Sequence, residues 1–120
     1  MPARVAICRL TPSSIIPDWA VTGVGFYSVT RTSQELSIVC SEDNVPAIAR
    51  QDRGWRVFEI EGPFEFSAIG VLASVAVPLA AAAVSIFAIS TFDTDYVLVK
   101  EPDVERAAST LESAGHQVIL

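Results

Sequence analysis

The stretch Ala68-Ile-Gly-Val-Leu-Ala-Ser-Val-Ala-Val-Pro-Leu-Ala-Ala-Ala-Ala83, followed by Val84-Ser-Ile-Phe-Ala-Ile-Ser90, Thr91-Phe-Asp-Thr-Asp95 and Tyr96-Val-Leu-Val-Lys100, decides the fold. No charged residue occurs from Phe66 to Phe92, a run long enough to cross a bilayer as one helix. Its period argues against that. Ile69, Leu72, Ala76, Leu79 and Ala83 keep helical spacing, and Val84 to Ser90 then reads as a continuous apolar, β-rich run. A helix over 68–83 is about 24 Å long, short of a membrane core. Pro78 sits inside it, Ala, Ser and Gly give weak membrane affinity, and no Lys or Arg cluster flanks it. The expectation is a buried helix leading into a central strand, with no membrane partner.

Outward from this stretch the pattern continues. Trp55 to Glu61 reads as a strand closed by Gly62-Pro63. Val84–Ser90 and Tyr96–Lys100 form a hairpin about 91–95. Asp103–Ala114 is an amphipathic helix with Val104, Ala107, Ala108 and Leu111 on one face, preceded by Pro102 and ended by Gly115. Gln117–Leu120 is expected as a last short strand. The order from Trp55 is β-α-β-β-α-β, the split βαβ or ferredoxin-like plan, with helices on one face of an antiparallel sheet. Before it, Arg4–Leu10 reads as a strand and 11–25, with Pro12, Pro17, Gly23 and Gly25, as an irregular connection. Phe26–Arg31 and Glu35–Ser41 read as a hairpin, and Pro46–Gln51 as a short helix broken by Gly54. An echo at a spacing of 60 pairs Val29-Thr30 and Leu36–Val39 with Ile89-Ser90 and Tyr96–Val99, and Glu35 with Asp95. The fold class is therefore α+β: residues 1–54 a reduced copy, residues 55–120 a complete one, joined near Arg53-Gly54.

Composition bounds the function. The 120 residues carry a formal net charge of −6, with 51% hydrophobic and 18% charged residues. That suits a folded domain rather than a disordered chain. The acidic balance disfavours nucleic acid and an anionic membrane surface. Two cysteines and one histidine are too few for a structural zinc site. Cys8 and Cys40 fall in strands and read as buried thiols. His116, after a helix end, reads as a cap favoured by the helix dipole. Gly23-Val-Gly25 lacks the third glycine of a dinucleotide loop, and no nucleophile elbow, phosphate loop or metalloprotease motif occurs. Neither an enzyme nor a cofactor is expected, and the N-terminus has no signal-peptide run, so cytoplasmic residence is the default.

One constellation carries chemistry. The connection 62–70 feeds the start of the apolar helix, whose free N–H groups suit a carboxylate. Gly70 there allows close approach to the backbone. The turn 91–95 supplies an aromatic ring, hydroxyls and the Asp93 and Asp95 carboxylates, which suit an ammonium or guanidinium group. Together these fit a zwitterion; the alternative is a polar turn and an ordinary helix start. Asp93 and Asp95 sharing a cation is a weaker possibility.

The residues Gly62-Pro-Phe64, Ile69-Gly-Val-Leu-Ala73, Pro78-Leu-Ala80, Val84-Ser-Ile86 and Ser90-Thr-Phe-Asp-Thr-Asp-Tyr-Val-Leu-Val99 resemble ACT domains. More narrowly, the chain resembles the bacterial ACT-like group related to the CASTOR arginine sensors and to aspartokinase regulatory domains. Phe26–Thr30 with Glu35–Val39 looks like a preceding, reduced ACT half. The likeness spans nearly the whole chain and is weakest over 11–25. It implies a sensor module that binds an amino acid or similar metabolite at an interface between paired domains. The residues it implies are Gly70 and Val71 at the helix start and Thr91, Phe92 and Asp95 in the hairpin; Ser67, Ile69, Asp93 and Thr94 beside them complete the candidate ligand-binding set. Asp95 would meet a cationic side chain and Gly70 the amino-acid backbone end. The sensors have four such units and this chain two at most, with no kinase domain. A second pocket wall would come from the N-terminal half or another subunit, and a regulated protein partner would act in trans. A homodimer is expected, because Val71, Val75 and Ala82 read as an outward helix face too apolar for water. The alternative function is a ligand-free structural or protein-interaction domain.

Overall fold

The computed structural model describes residues 1–61 and 68–120, with backbone only for Ala68 and Ile69. The chain divides into two compact units: Ala3–Trp55, and Arg56–Leu120 together with Met1–Pro2. The architecture is α+β, and among the described residues the two α-helices lie in the second unit.

The first unit contains β1 (Arg4–Leu10), β2 (Ser28–Arg31), β3 (Leu36–Ser41) and the first half of β4 (Gln51–Ile60), in the order β2-β3-β1-β4. β3 is antiparallel to both β1 and β2, with Leu10 opposite Leu36 and Ser28 opposite Val39. The period of two puts Ala6, Cys8, Leu36, Ile38 and Cys40 on one face, where they form a core with Ala20 and Val45. No α-helix covers this face among the described residues. Residues 11–27 do so irregularly, with one short 3-10 turn, Asp18–Ala20. The Arg31 guanidinium fastens them by donating to the carbonyls of Pro12 and Ser14.

The expected helix over Pro46–Gln51 does not form. Ala49 N–H donates to Pro46 O at 3.0 Å, closing a single turn, and Gln51 already belongs to β4. Six residues cannot offset the cost of nucleating a helix without a packed face. The 3-10 turn lies earlier, at Glu42–Asn44. Gly54 does not break an element either: it sits inside β4 at φ +82°, and its N–H donates to Glu42 Oε1 at 3.0 Å.

Cys8 and Cys40 are both free and buried, on the same face of neighbouring strands. Burial first, and the neighbouring Cys40 second, push the Cys8 thiol up to about 11, against a smaller opposing pull from Arg53. Burial also raises Cys40. The folded state thus holds thiol protons that the unfolded chain releases. Stability is expected to be flat in pH below the ordinary thiol range near 9.0 and to fall as pH rises from there towards about 11. Urea midpoints measured from pH 7 to 11 check this, and Cys8→Ala flattens most of the fall.

The second unit adds α1 (Ala68–Ala81), β5 (Ile86–Ser90), β6 (Asp95–Lys100) and α2 (Val104–Ser113) to the rest of β4, with strand order β4-β6-β5. Val75 and Leu79 of α1, Ala107 and Leu111 of α2, and Val97 and Val99 of β6 form its core, with Phe58 and Ile60 packed against it. The buried residues of α2 are the four expected. β5 is the edge of this row, not its centre, because β6 separates it from β4.

Helix α1 differs from expectation in which face it buries. Val71, Val75 and Leu79 are buried, Leu72, Ala76 and Ala82 half-buried, and Val77 is 65% exposed. Val71 and Val75 therefore do not form an outward face. A helix apolar all round gives periodicity little to choose between. The helix also ends at Ala81 rather than Ala83, in a C-terminal motif where Val84 N–H reaches Leu79 O at 2.9 Å and Ala83 N–H reaches Ala80 O at 3.0 Å. This puts Ala83 at φ +58°. At the same place after α2 stands Gly115, at φ +99°. A left-handed alanine costs about 1 kcal/mol that glycine does not. Ala83→Gly is expected to stabilise the protein by about 0.5–1 kcal/mol in denaturant unfolding.

Gln117–Leu120 forms no strand. The Met1 ammonium instead donates to Val57 O at 3.3 Å, and Arg56 Nε donates to Met1 O at 3.1 Å. The start of the chain thus lies along β4, where a closing strand would otherwise pair.

Candidate functional site

The hairpin turn gathers five of the expected residues. Thr91 N–H donates to Thr94 O at 2.8 Å; the Thr91 hydroxyl donates to the same carbonyl at 3.0 Å and accepts from Thr94 N–H at 3.2 Å. The turn thus uses the Thr91 hydroxyl internally. Phe92 at the apex is fully exposed, Asp93 is exposed and Thr94 half-buried. Asp95, which opens β6, is 6% exposed. Next to it, burial and then the Glu59 carboxylate, which accepts the Tyr96 hydroxyl at 3.4 Å, raise the Tyr96 pKa.

The register shows what position Asp95 occupies. Ser90 pairs with Asp95 in one hairpin and Arg31 with Leu36 in the other. Both β6 and β3 bury their first, third, fourth and fifth residues. The two copies are therefore offset by 59 residues, Leu36 to Asp95 and Ser41 to Lys100. The echo of 60 read from the sequence is out by one. Asp95 matches the fully buried Leu36, not Glu35. It lies on the core face of β6 with Val97 and Val99, and among the described residues it forms no ion pair.

Gly70 and Val71 lie in the first turn of α1, the glycine exposed and the valine buried. Both line a cavity of about 680 Å³ with Phe58 and Ile60 of β4, Ser74 of α1, Leu111 of α2, and His116 and Val118 beyond it. None of Thr91–Asp95 lines this cavity. The two halves of the expected constellation are thus separate features. Ser67 and the Ile69 side chain lie outside the described residues.

His116 has a role that reading it as a helix cap missed. Pro78 has no N–H, so the carbonyl four residues earlier, Ser74 O, lacks its helical donor. His116 Nε2 lies 2.9 Å from that oxygen and supplies the missing hydrogen bond. The signal was in the sequence as Pro78 alone; its partner, 42 residues from Ser74, was not. His116→Ala is expected to cost about 1 kcal/mol, and less in a Pro78→Ala background, where residue 78 regains its own donor. Urea unfolding of the four proteins of this cycle measures the difference.

Among the described residues no three His, Cys, Asp or Glu side chains group as a metal site, and no helix is long and apolar enough to cross a membrane.

The ACT domain model matches residues 50–113, and a separate N-terminal-domain model matches residues 4–48. The chain belongs to the ACT domain family. It is 30% identical to human putative protein CASTOR3P over 93% of this chain and 77% of that one. It is 41% identical to human cytosolic arginine sensor for mTORC1 subunit 1 over 48% of this chain, but only 18% of the sensor. The crystal structure of protein Atu0741 from Agobacterium tumefaciens superposes with a TM-score of 0.93 at 46% identity, covering 98% of this chain and 87% of that one. Aspartate kinase from Clostridium acetobutylicum shares the fold, with a TM-score of 0.67 at 13% identity, covering 94% of this chain and 33% of the kinase. This ACT chain therefore spans a small part of the arginine sensor and a third of the kinase.

Proposed function

We propose that this ACT protein is a regulatory module that binds an amino acid or similar small metabolite bearing a cationic group, and carries out no chemical step on it. The observation that supports this most is the burial of Asp95. A carboxylate on a residue only 6% exposed is costly unless a positive group and hydrogen bonds compensate it. A ligand ammonium or guanidinium meets that need, and Phe92, fully exposed in the same turn, offers an aromatic face. The similarity to a protein named as an arginine sensor agrees with a cationic ligand.

In this reading Asp95 takes the cationic end, with Thr91, Asp93 and Thr94 shaping the turn around it. Gly70 and Val71 meet the amino-acid backbone end, where the N–H groups of the first helical turn have no partners within the helix. Ser67 and Ile69 belong to the same helix start. A site made of these two halves is completed across two copies, so the protein acts as a homodimer, and ligand shifts the population of the dimer or of a protein regulated in trans.

Thermal unfolding against the common amino acids and a few nucleotides tests this reading. At about 100 times its Kd a ligand stabilises by roughly 2.7 kcal/mol, a rise on the order of ten degrees for a chain of this size. A rise confined to cationic amino acids is the expected result. A flat response at millimolar concentrations, with Asp95→Ala indistinguishable from the parent, points instead to a ligand-free interaction domain.

A further inference from the structure

The layer that covers the first unit's core is apolar on its outer side as well. From Thr11 to Thr30 the sequence holds a single charged residue, Asp18. Ile15, Val24 and Ile48 are almost wholly exposed, and Ile16, Val21 and Tyr27 are exposed with them. These six are more than half of the exposed large apolar side chains among the described residues, so the exposure concentrates on this layer. An outer surface ordinarily carries charge, as α2 does with Glu105, Arg106 and Glu112.

The layer is fastened. Asn44 Nδ2 donates to Thr22 O at 3.2 Å, which sets Val21 and Val24 beside the connection that leads to Ile48. The turn carrying Ile48 is closed by Ala49 N–H on Pro46 O, and the Thr22 hydroxyl donates to Asp18 O. Covering a surface already held in place costs little conformational entropy. Of residues 11–27 and 46–48 only Ala20 is buried, and the rest approach the roughly 20 residues a side of a stable interface.

The distribution of charge selects the occupant. Residues 3–55 hold five Arg and five Asp or Glu, so the whole net charge of −6 falls on the second unit. Two second units repel each other, whereas two first units meet without net repulsion, and interface centres are depleted in charge. We infer that a second copy of this chain covers this face, in a two-fold contact between first units centred on Val21, Val24 and Ile48. The contact needs no ligand and does not involve Asp95, so it does not rest on the amino-acid reading.

Sedimentation velocity of the full chain without ligand, with amide NMR spectra over a dilution series, tests this. The expected result is a dimer at about 100 μM, with the Val21, Val24 and Ile48 amides moving on dilution. A Val24→Glu, Ile48→Glu double variant weakens the dimer at least roughly tenfold. Both positions are exposed, and an unchanged urea midpoint shows that the variant still folds. Asp95→Asn and Val77→Glu keep the dimer. A monomer at the same concentration, dilution shifts confined to residues 70–95, or dissociation by Val77→Glu but not by the double variant overturns the inference. A dimer that forms only with L-arginine also overturns it, and leaves the amino-acid reading standing.

Discussion

Leu36→Asp is expected to destabilise the protein by more than about 4 kcal/mol, enough to unfold much of a chain whose total stability is of the usual size. Leu36 has no exposed surface and packs in the core of Ala6, Cys8, Ile38 and Cys40. The change removes about 2 kcal/mol of apolar burial and puts a carboxylate into that core, where the cross-strand cation Arg31 already donates to the Pro12 and Ser14 carbonyls, which costs several kcal/mol more. The neighbouring Glu35→Ala is the control. Glu35 is only half-buried, and its loss is expected to cost well under 1 kcal/mol. Urea unfolding of both variants by circular dichroism decides which residue occupies the position matching Asp95. Near-equal losses, or a larger loss from Glu35→Ala, contradict the 59-residue offset.

The reciprocal change has the opposite sign. Asp95→Leu is expected to stabilise the ligand-free protein by about 1–2 kcal/mol, because it turns a buried polar site into the apolar one that β3 already tolerates. That corresponds to a rise of several degrees in the unfolding midpoint. The same substitution removes the carboxylate from the proposed site, so no cationic amino acid stabilises the variant further. Gain of stability with loss of a ligand response is the signature of a residue kept for binding at the expense of packing. If Asp95→Leu instead loses several kcal/mol, the carboxylate has a structural partner, and its burial says nothing about a ligand.

The fold was largely legible because its strongest signals are local. The four buried residues of α2 follow helical spacing between Pro102 and Gly115, and the two hairpins are apolar, β-rich runs on either side of short polar turns. What failed depends on distance along the chain. Gln117–Leu120 has the composition of a strand, but the Met1 ammonium lies on β4 at Val57, and no local pattern encodes that competition. The face of α1 was misread because Ala and Val surround the helix. At the site, the hairpin set Thr91–Asp95 was readable as a group, whereas the burial of Asp95 was not. A one-residue slip of the internal echo set it against Glu35, a residue of like charge, and hid its match to Leu36. The cavity has no sequence signature, since its walls come from four separated segments.

The most direct test of the central claim is a calorimetric titration of L-arginine into the parent protein and into Asp95→Asn, which keeps the side chain's size and removes its charge. The account predicts saturable binding to the parent, weakened roughly a hundredfold or more in the variant. Equal affinity in the two proteins, or no binding of arginine, lysine or ornithine to the parent at millimolar concentration, would contradict it.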